Sequence, residues 1–416
     1  MNPGQYSKEV ARELRSILRY WMEQMPDPRQ GGFFGRIDEK GRVDATAPKG
    51  LVLNSRICWT FSAAFHHTGD PRYLPPARRA YDYLLTHFLD RQYGGARWSV
   101  DRAGHPLDDR KQIYGLAFCL YGLSEFFIAT GEQTSLEEAI ALFRIIEQYS
   151  FDPTAKGYYE AFARDWQPLA DQRLSGKDAN TPKTMNTHLH VLEAYANLYR
   201  AWPDALLLQR IKDLLEVFEQ HIIDPATRHH APIPTPRHLD PFPRHLPPRH
   251  LSLFFDKDWK RMPGVVSYGH DIEASWLLHE AAIVTGDKDW IATTRRLALQ
   301  LAQASLEGLD KDGGLWYEEE GGQIIGEKHW WPQAEAMVGY LNAWQISEEE
   351  IWWQRSVASW DFVKKYIRDT TYGEWFWGVW ADHIPMPRQD KAGFWKCPYH
   401  NTRACLEIIR RLPNLP

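Results

Sequence analysis

Two kinds of apolar segment alternate along the chain. One is apolar nearly all round, as in "LVLNSRICWTFSAAFHHTGD" and "QIYGLAFCLYGLSEFFIATGE". The segment after it is amphipathic, with charges on one stripe, as in "YLPPARRAYDYLLTHFLD" and "SLEEAIALFRIIEQYSF". That difference separates a helix buried on most sides from one packed against it from outside. Between the pairs a short phrase recurs: an acidic residue, a Gly-containing turn, then aromatic or apolar residues. It reads "DPRQGGFFGRI" at Asp27, "DRQYGGARWSV" at Asp90 and "DPTAKGYYEAF" at Asp152. It is degraded at Asp224 and returns at Asp310 and Asp369, with steps of 63, 62, 72, 86 and 59 residues. This period is too long for the common helical repeats. Each phrase predicts a short hairpin.

Six units predict twelve helices. An N-terminal helix over about residues 7–25 has no inner partner, and the last helix, "YHNTRACLEIIRRL", has no outer one. The two ends therefore complete one unit. The closed solution is all-α: an (α/α)6 barrel with short β-hairpins in its connecting loops, one domain over residues 1–416. An open solenoid would need polar caps, which the termini do not resemble.

Composition narrows the function. The formal charge is −5 with both signs dispersed, so a nucleic acid is not expected as a partner. The first 25 residues hold no apolar signal core, and no 18-residue apolar run is seen, so no membrane association is expected. Four cysteines, Cys58, Cys119, Cys397 and Cys405, lack metal spacing. A reduced, cytoplasmic protein is the expectation, and a monomer whose partner is a small sugar. The 19 Trp, 19 Tyr and 18 Phe are an unusual load that must in part be core, and aromatic faces also serve as platforms for sugar rings.

The inner helices begin with unusual residues: Asn54 and Arg56; Tyr114, after Asp109 and Gln112 at capping-box spacing; Asn186, His188 and His190; His270, Asp271 and Glu273, after Ser267 as N-cap; His329, Trp330, Trp331 and Glu335; His400, Asn401 and Arg403. Parallel inner helices bring these first turns to one end, where free N–H groups favour oxygen-rich ligands. At about 100° per residue, His188 and His190 point apart. Asn186 and His190 share a face, so His190 is expected at the barrel mouth and His188 in a structural role. A metal-binding His-x-His would need a strand, and the residues after His190 read as helix; no metal is expected.

The stretches "MNTHLHVLEAYANLYR", "SYGHDIEASWLL", "HWWPQAEAMVGYLNA" and "FWKCPYHNTRACLE" resemble the cellobiose 2-epimerases, within the N-acylglucosamine 2-epimerase family. The resemblance runs from the first hairpin to the C-terminus. It implies an (α/α)6 barrel that inverts C2 of the reducing-end sugar of a β-1,4-linked disaccharide, without metal or organic cofactor. By motif it implies His270 and His400 as an acid/base pair and His190 as a third histidine linked to ring opening and proton relay. Arg56, Tyr114, Asn186 and Glu273 match substrate-contacting positions, Trp331 and Trp395 aromatic platforms, and Asp178 an acidic residue at the site. The chemistry suits these residue types. The C2 proton becomes removable once C1 is a carbonyl, and two imidazoles on opposite walls can take it from one face and return it to the other. Arg56 would stabilise the developing oxyanion. Alternatives are epimerisation or isomerisation of free mannose or mannobiose, and a glycoside hydrolase, which would need paired carboxylates. A sugar-binding protein would need the aromatics but not three histidines.

One stretch departs from the family pattern. Residues 228–250 form a Pro- and His-rich insertion in place of a tight hairpin turn. It is expected as a rigid surface loop, or as a cover or extra subsite at the barrel mouth.

Overall fold

The computed structural model describes residues 1–225, 247–262 and 264–412. Six inner helices are present: α2 (Leu51–Thr68), α4 (Ile113–Thr130), α6 (Met185–Ala201), α8 (Tyr268–Thr285), α10 (Trp330–Ser347) and α12 (Tyr399–Arg411). Six outer helices pack on them: α1 (Pro3–Gln24), α3 (Leu74–Tyr83), α5 (Gln133–Tyr149), α7 (Ala205–Val217), α9 (Lys288–Ser305) and α11 (Glu350–Phe362). Each inner helix packs on the next, and α12 packs back onto α2, which closes the ring. The two ends of the chain meet as expected, with α1 against α12. Helix α1 starts earlier than the pattern suggests. Asn2 caps it by accepting from Gln5 N–H at 2.8 Å, and Pro3 fills the first turn.

The pattern of polarity follows this layering. Helix α4 is buried along most of its length. It also has the length and hydropathy of a membrane span, contrary to the reading that no such run exists. The reason is its position: an inner helix meets apolar neighbours on nearly every side. Among the described residues it is the one helix with that property.

The repeat phrases form a common turn. The N–H of Asp27, Asp90, Asp152, Asp310 and Asp369 donates to the carbonyl of Gly32, Gly95, Gly157, Gly314 and Glu374 respectively. In the degraded fourth phrase Asp224 N–H donates to His250 O, so the insertion leaves and returns at one hairpin base. Residues 228–246 of that insertion, with the expectation of a surface loop or cover, lie outside the described residues.

A lysine two residues ahead of an inner helix anchors four of the turns, and one further ahead of the last inner helix anchors a fifth. Lys49, Lys111, Lys183 and Lys328 reach Asp27, Asp90, Asp152 and Asp310 at 3.0, 2.9, 2.8 and 2.7 Å. Lys391 bonds Asp369 in the same way. Each lysine is almost fully buried, and a buried charge is tolerated only when paired. Four of these pairs tie a hairpin to the start of the next inner helix. They fix the end of the barrel at which the six first turns converge.

Candidate active site

The first turns of the inner helices surround a cavity of about 390 Å³. All ten candidate residues line it: Arg56, Tyr114, Asp178, Asn186, His190, His270, Glu273, Trp331, Trp395 and His400. The two histidines of α6 divide as the helical angle demands. His190 faces the cavity. His188 is fully buried, with Nδ1 2.6 Å from Thr184 O and Nε2 accepting from Tyr158 N–H at 2.8 Å. It therefore fastens α6 to the third hairpin, and burial pushes its pKa down to about 3.

Each cavity histidine is held through Nδ1. His190 Nδ1 lies 3.0 Å from Glu193 Oε2, His400 Nδ1 lies 2.7 Å from Glu335 Oε1, and His270 Nδ1 lies 2.8 Å from Ser267 Oγ. Ser267 sits at the N-cap of α8 but its hydroxyl makes no capping bond, serving His270 instead. Burial, with neighbouring positive groups, lowers all three imidazoles: His270 to about 3, His400 well below its usual value, and His190 in the same direction. Neutral imidazoles so held present Nε2 as the free nitrogen.

The helices of His270 and His400 do not oppose each other. In the ring, α8 and α12 flank α10, so the expectation of opposite walls changes to walls on either side of α10. Trp331, from the first turn of α10, lies against both rings, with centroids 4.7 Å from His270 and 5.7 Å from His400. Trp395 and Tyr114 pack at 6.1 Å. Arg56 donates to Tyr114 OH at 2.7 Å, and its guanidinium lies over the rings of Phe118 and Tyr399. Asn186 Oδ1 is buried without a protein partner among the described residues, although it lines the cavity. A ligand hydroxyl would satisfy it.

Beneath the cavity is a layer of buried charge. Arg403 Nη2 donates to Glu273 Oε1 and Glu335 Oε1, each at 2.7 Å, and Arg403 Nη1 donates to Glu193. Burial raises Glu273 and Glu335, each working against the partly opposing pull of Arg403. Burial would also raise Glu193, but Arg403 and His190 outweigh it and hold this carboxyl at about 2. Glu273, Glu335 and His400 bring three potential ligand atoms within 4.8 Å. The Arg403 guanidinium already occupies the carboxylate pair, and a second cation there would meet its repulsion.

Some expectations are corrected. Asp109 does not form a capping box with Gln112. It pairs with Arg97 at 2.8 Å, because Lys111 and Gln112 are extended and pair with Phe162 and Ala161. Asp271 turns away from the cavity: it accepts from Leu251 N–H at 2.9 Å and lies 2.6 Å from His250 Nδ1. Residues absent from the ten candidates also line the cavity, among them Lys177, Tyr317, Glu318, His329 and Trp377. His329 and Trp377 carried a usable signal, the former at a helix start and the latter in the aromatic phrase at Asp369.

Comparison with known proteins places this site in context. Residues 32–404 match the model of the N-acylglucosamine 2-epimerase (GlcNAc 2-epimerase) family. The chain belongs to the N-acylglucosamine 2-epimerase family. It is thus an isomerase of the carbohydrate epimerase kind. It is 47% identical over 405 residues to a cellobiose 2-epimerase of Bacteroides fragilis, covering 97% of this chain and 98% of the relative. It is similar to the solved cellobiose 2-epimerase of Bacillus thermoamylovorans at a TM-score of 0.88 and 38% identity, covering 98% and 100% of the two chains. A GH76 alpha-mannanase of Bacteroides thetaiotaomicron, at a TM-score of 0.65, 11% identity and 97% and 98% coverage, shares the fold alone.

Proposed function

We propose that the chain inverts C2 of the reducing-end glucose or mannose of a β-1,4-linked disaccharide, converting cellobiose to glucosyl-mannose and back. The relatives named above support the substrate class. The carrying observation is the arrangement of His270 and His400, each tethered through Nδ1 and both beside Trp331. In the open-chain sugar, one imidazole takes the C2 proton through Nε2 and leaves an enediolate. The other returns a proton to the opposite face, and the reverse reaction exchanges their roles. Arg56 stabilises the oxyanion, and His190 relays protons during ring opening.

The buried charges supply the acid form. Glu193, Glu273 and Glu335 carry three potential negative charges against the two guanidiniums of Arg56 and Arg403. Neutrality requires one further proton. At rest the raised Glu273, 3.8 Å from His400 Nδ1, can hold it; moved to His400, it makes an imidazolium whose Nδ1–H donates to ionised Glu335 at 2.7 Å and whose Nε2–H is the acid. A hydrolase would need a free carboxylate pair. Glu273 is committed to Arg403, which leaves Asp178 and Glu318 as the other carboxyls lining the cavity, neither of them a partner of His270 or His400 among the described residues.

Replacing His270 or His400 by Asn tests the assignment. Each variant should keep the fold and lose epimerisation by at least the roughly 10²–10⁴-fold of an assisting acid or base. A variant that retains more than a few per cent of the rate would remove that histidine from the chemistry.

A further inference from the structure

Glu193 lies one turn beyond His190 on α6 and is almost fully buried. Its Oε2 takes the His190 Nδ1 contact at 3.0 Å, and Tyr399 OH reaches its two oxygens at 2.5 and 2.6 Å. Arg403 joins Glu193 to Glu335, and Glu335 holds His400 Nδ1 at 2.7 Å. One unbroken path therefore runs His190–Glu193–Arg403–Glu335–His400. It spans the barrel, since α6 and α12 stand three places apart in the ring of six. Glu193 also lines a second cavity, of about 640 Å³, shared with Trp59, Tyr121, Trp276, Glu407 and Arg403. Glu193 and Arg403 line this second cavity and contact His190 and Glu273, which line the first.

We propose that Glu193 is a positioning residue that sets His190 and His400 together. An ionised carboxylate accepts and cannot donate, so Glu193 fixes the Nδ1–H tautomer of His190 and leaves Nε2 for the substrate. The same carboxylate holds Nη1 of Arg403. It thereby orients Nη2 toward Glu335 and sets the acceptor that fixes His400. A carboxylate kept only to neutralise Arg403 would stabilise the fold without controlling a tautomer. The proposal rests on the epimerase reading.

The test uses the full chain with Glu193→Gln and Glu193→Ala. Glutamine keeps the shape but can donate to His190 Nδ1, which favours the other tautomer. Loss of an orienting carboxylate of this kind lowers kcat by up to about 10⁴-fold elsewhere. For Glu193→Gln we expect a loss of about 10²-fold or more in kcat, with KM changed far less. Glu193→Ala opens a hole toward the second cavity, so added formate should restore part of its rate. Spectra of the ¹⁵N-histidine-labelled protein should show the His190 signals change tautomer in Glu193→Gln. The proposal is overturned if folded Glu193→Gln retains wild-type kcat, or loses activity with the His190 signals unchanged. It is also overturned if formate leaves a folded Glu193→Ala unimproved; should that variant not fold, Glu193→Gln alone decides. If the wild type does not invert C2, the epimerase reading fails separately, because the tautomer is read without turnover.

Discussion

Lys183→Met should separate the anchoring of the barrel mouth from its chemistry. Lys183 is fully buried and donates to Asp152 Oδ2 at 2.8 Å and to the carbonyls of Lys156 and Lys257, each at 2.9 Å. Methionine fills similar space but leaves the Asp152 carboxylate with the N–H groups of Thr154 and Ala155 and the more distant hydroxyl of Tyr159. Breaking a buried pair from one side costs about 3–5 kcal/mol. At roughly 2.1 cal/mol/K per residue, unfolding 416 residues carries about 0.9 kcal/mol/K of entropy. The melting temperature should therefore fall by about 3–6 °C. Lys183→Met with Asp152→Asn should recover part of that loss, because no bare charge remains. The pH dependence has a definite sign. Burial raises Asp152, but Lys183 and the turn N–H groups bring it down from 3.8 to about 2. Its contribution is present above pH 3.8 and disappears as pH falls toward 2. Differential scanning calorimetry at pH 7 and across the acid range checks this. A single variant melting within about 1 °C of the wild type at pH 7 would refute the reasoning. Lys183 also precedes α6, so KM should rise as the Asn186–His190 turn loosens.

Two further outcomes come from the buried charges. His188 is held neutral with its value lowered from 6.5 to about 3, so its share of stability is complete above pH 6.5 and is lost as pH falls toward 3; His188→Gln should flatten the fall in Tm between about pH 6.5 and 4, and an unchanged slope would contradict its burial as a neutral imidazole. Activity should survive exhaustive chelation, because Arg403 already serves the carboxylates of Glu273 and Glu335; loss with EDTA, reversed by one divalent ion, would overturn this.

Much of the architecture was legible because it repeats. Six turn phrases and two alternating kinds of apolar segment specify a closed double ring, and the unmatched end helices say where it closes. The site was legible where helical angle decides, as in the separation of His188 from His190. Residues beyond first turns were harder to find. Glu193 sits in "HLHVLEAY", where an isolated glutamate reads as solvent-facing, and only the approach of α12 gives it Tyr399 and Arg403 as partners beside His190. Tyr317 and Glu318 come at the end of the turn phrase at Asp310, which predicts a hairpin but not which of its residues reach the barrel mouth. Asp109 followed a capping rule that fails because extended pairing of Lys111 and Gln112 displaces the helix start.

Incubation of the wild-type protein with cellobiose in heavy water tests the central claim most directly. Proton transfer at C2 through an enediolate predicts glucosyl-mannose with one deuterium at C2 of its reducing-end sugar, and the glycosidic bond intact. Mannose-type product without deuterium at C2, or released monosaccharide as the main product, would contradict it.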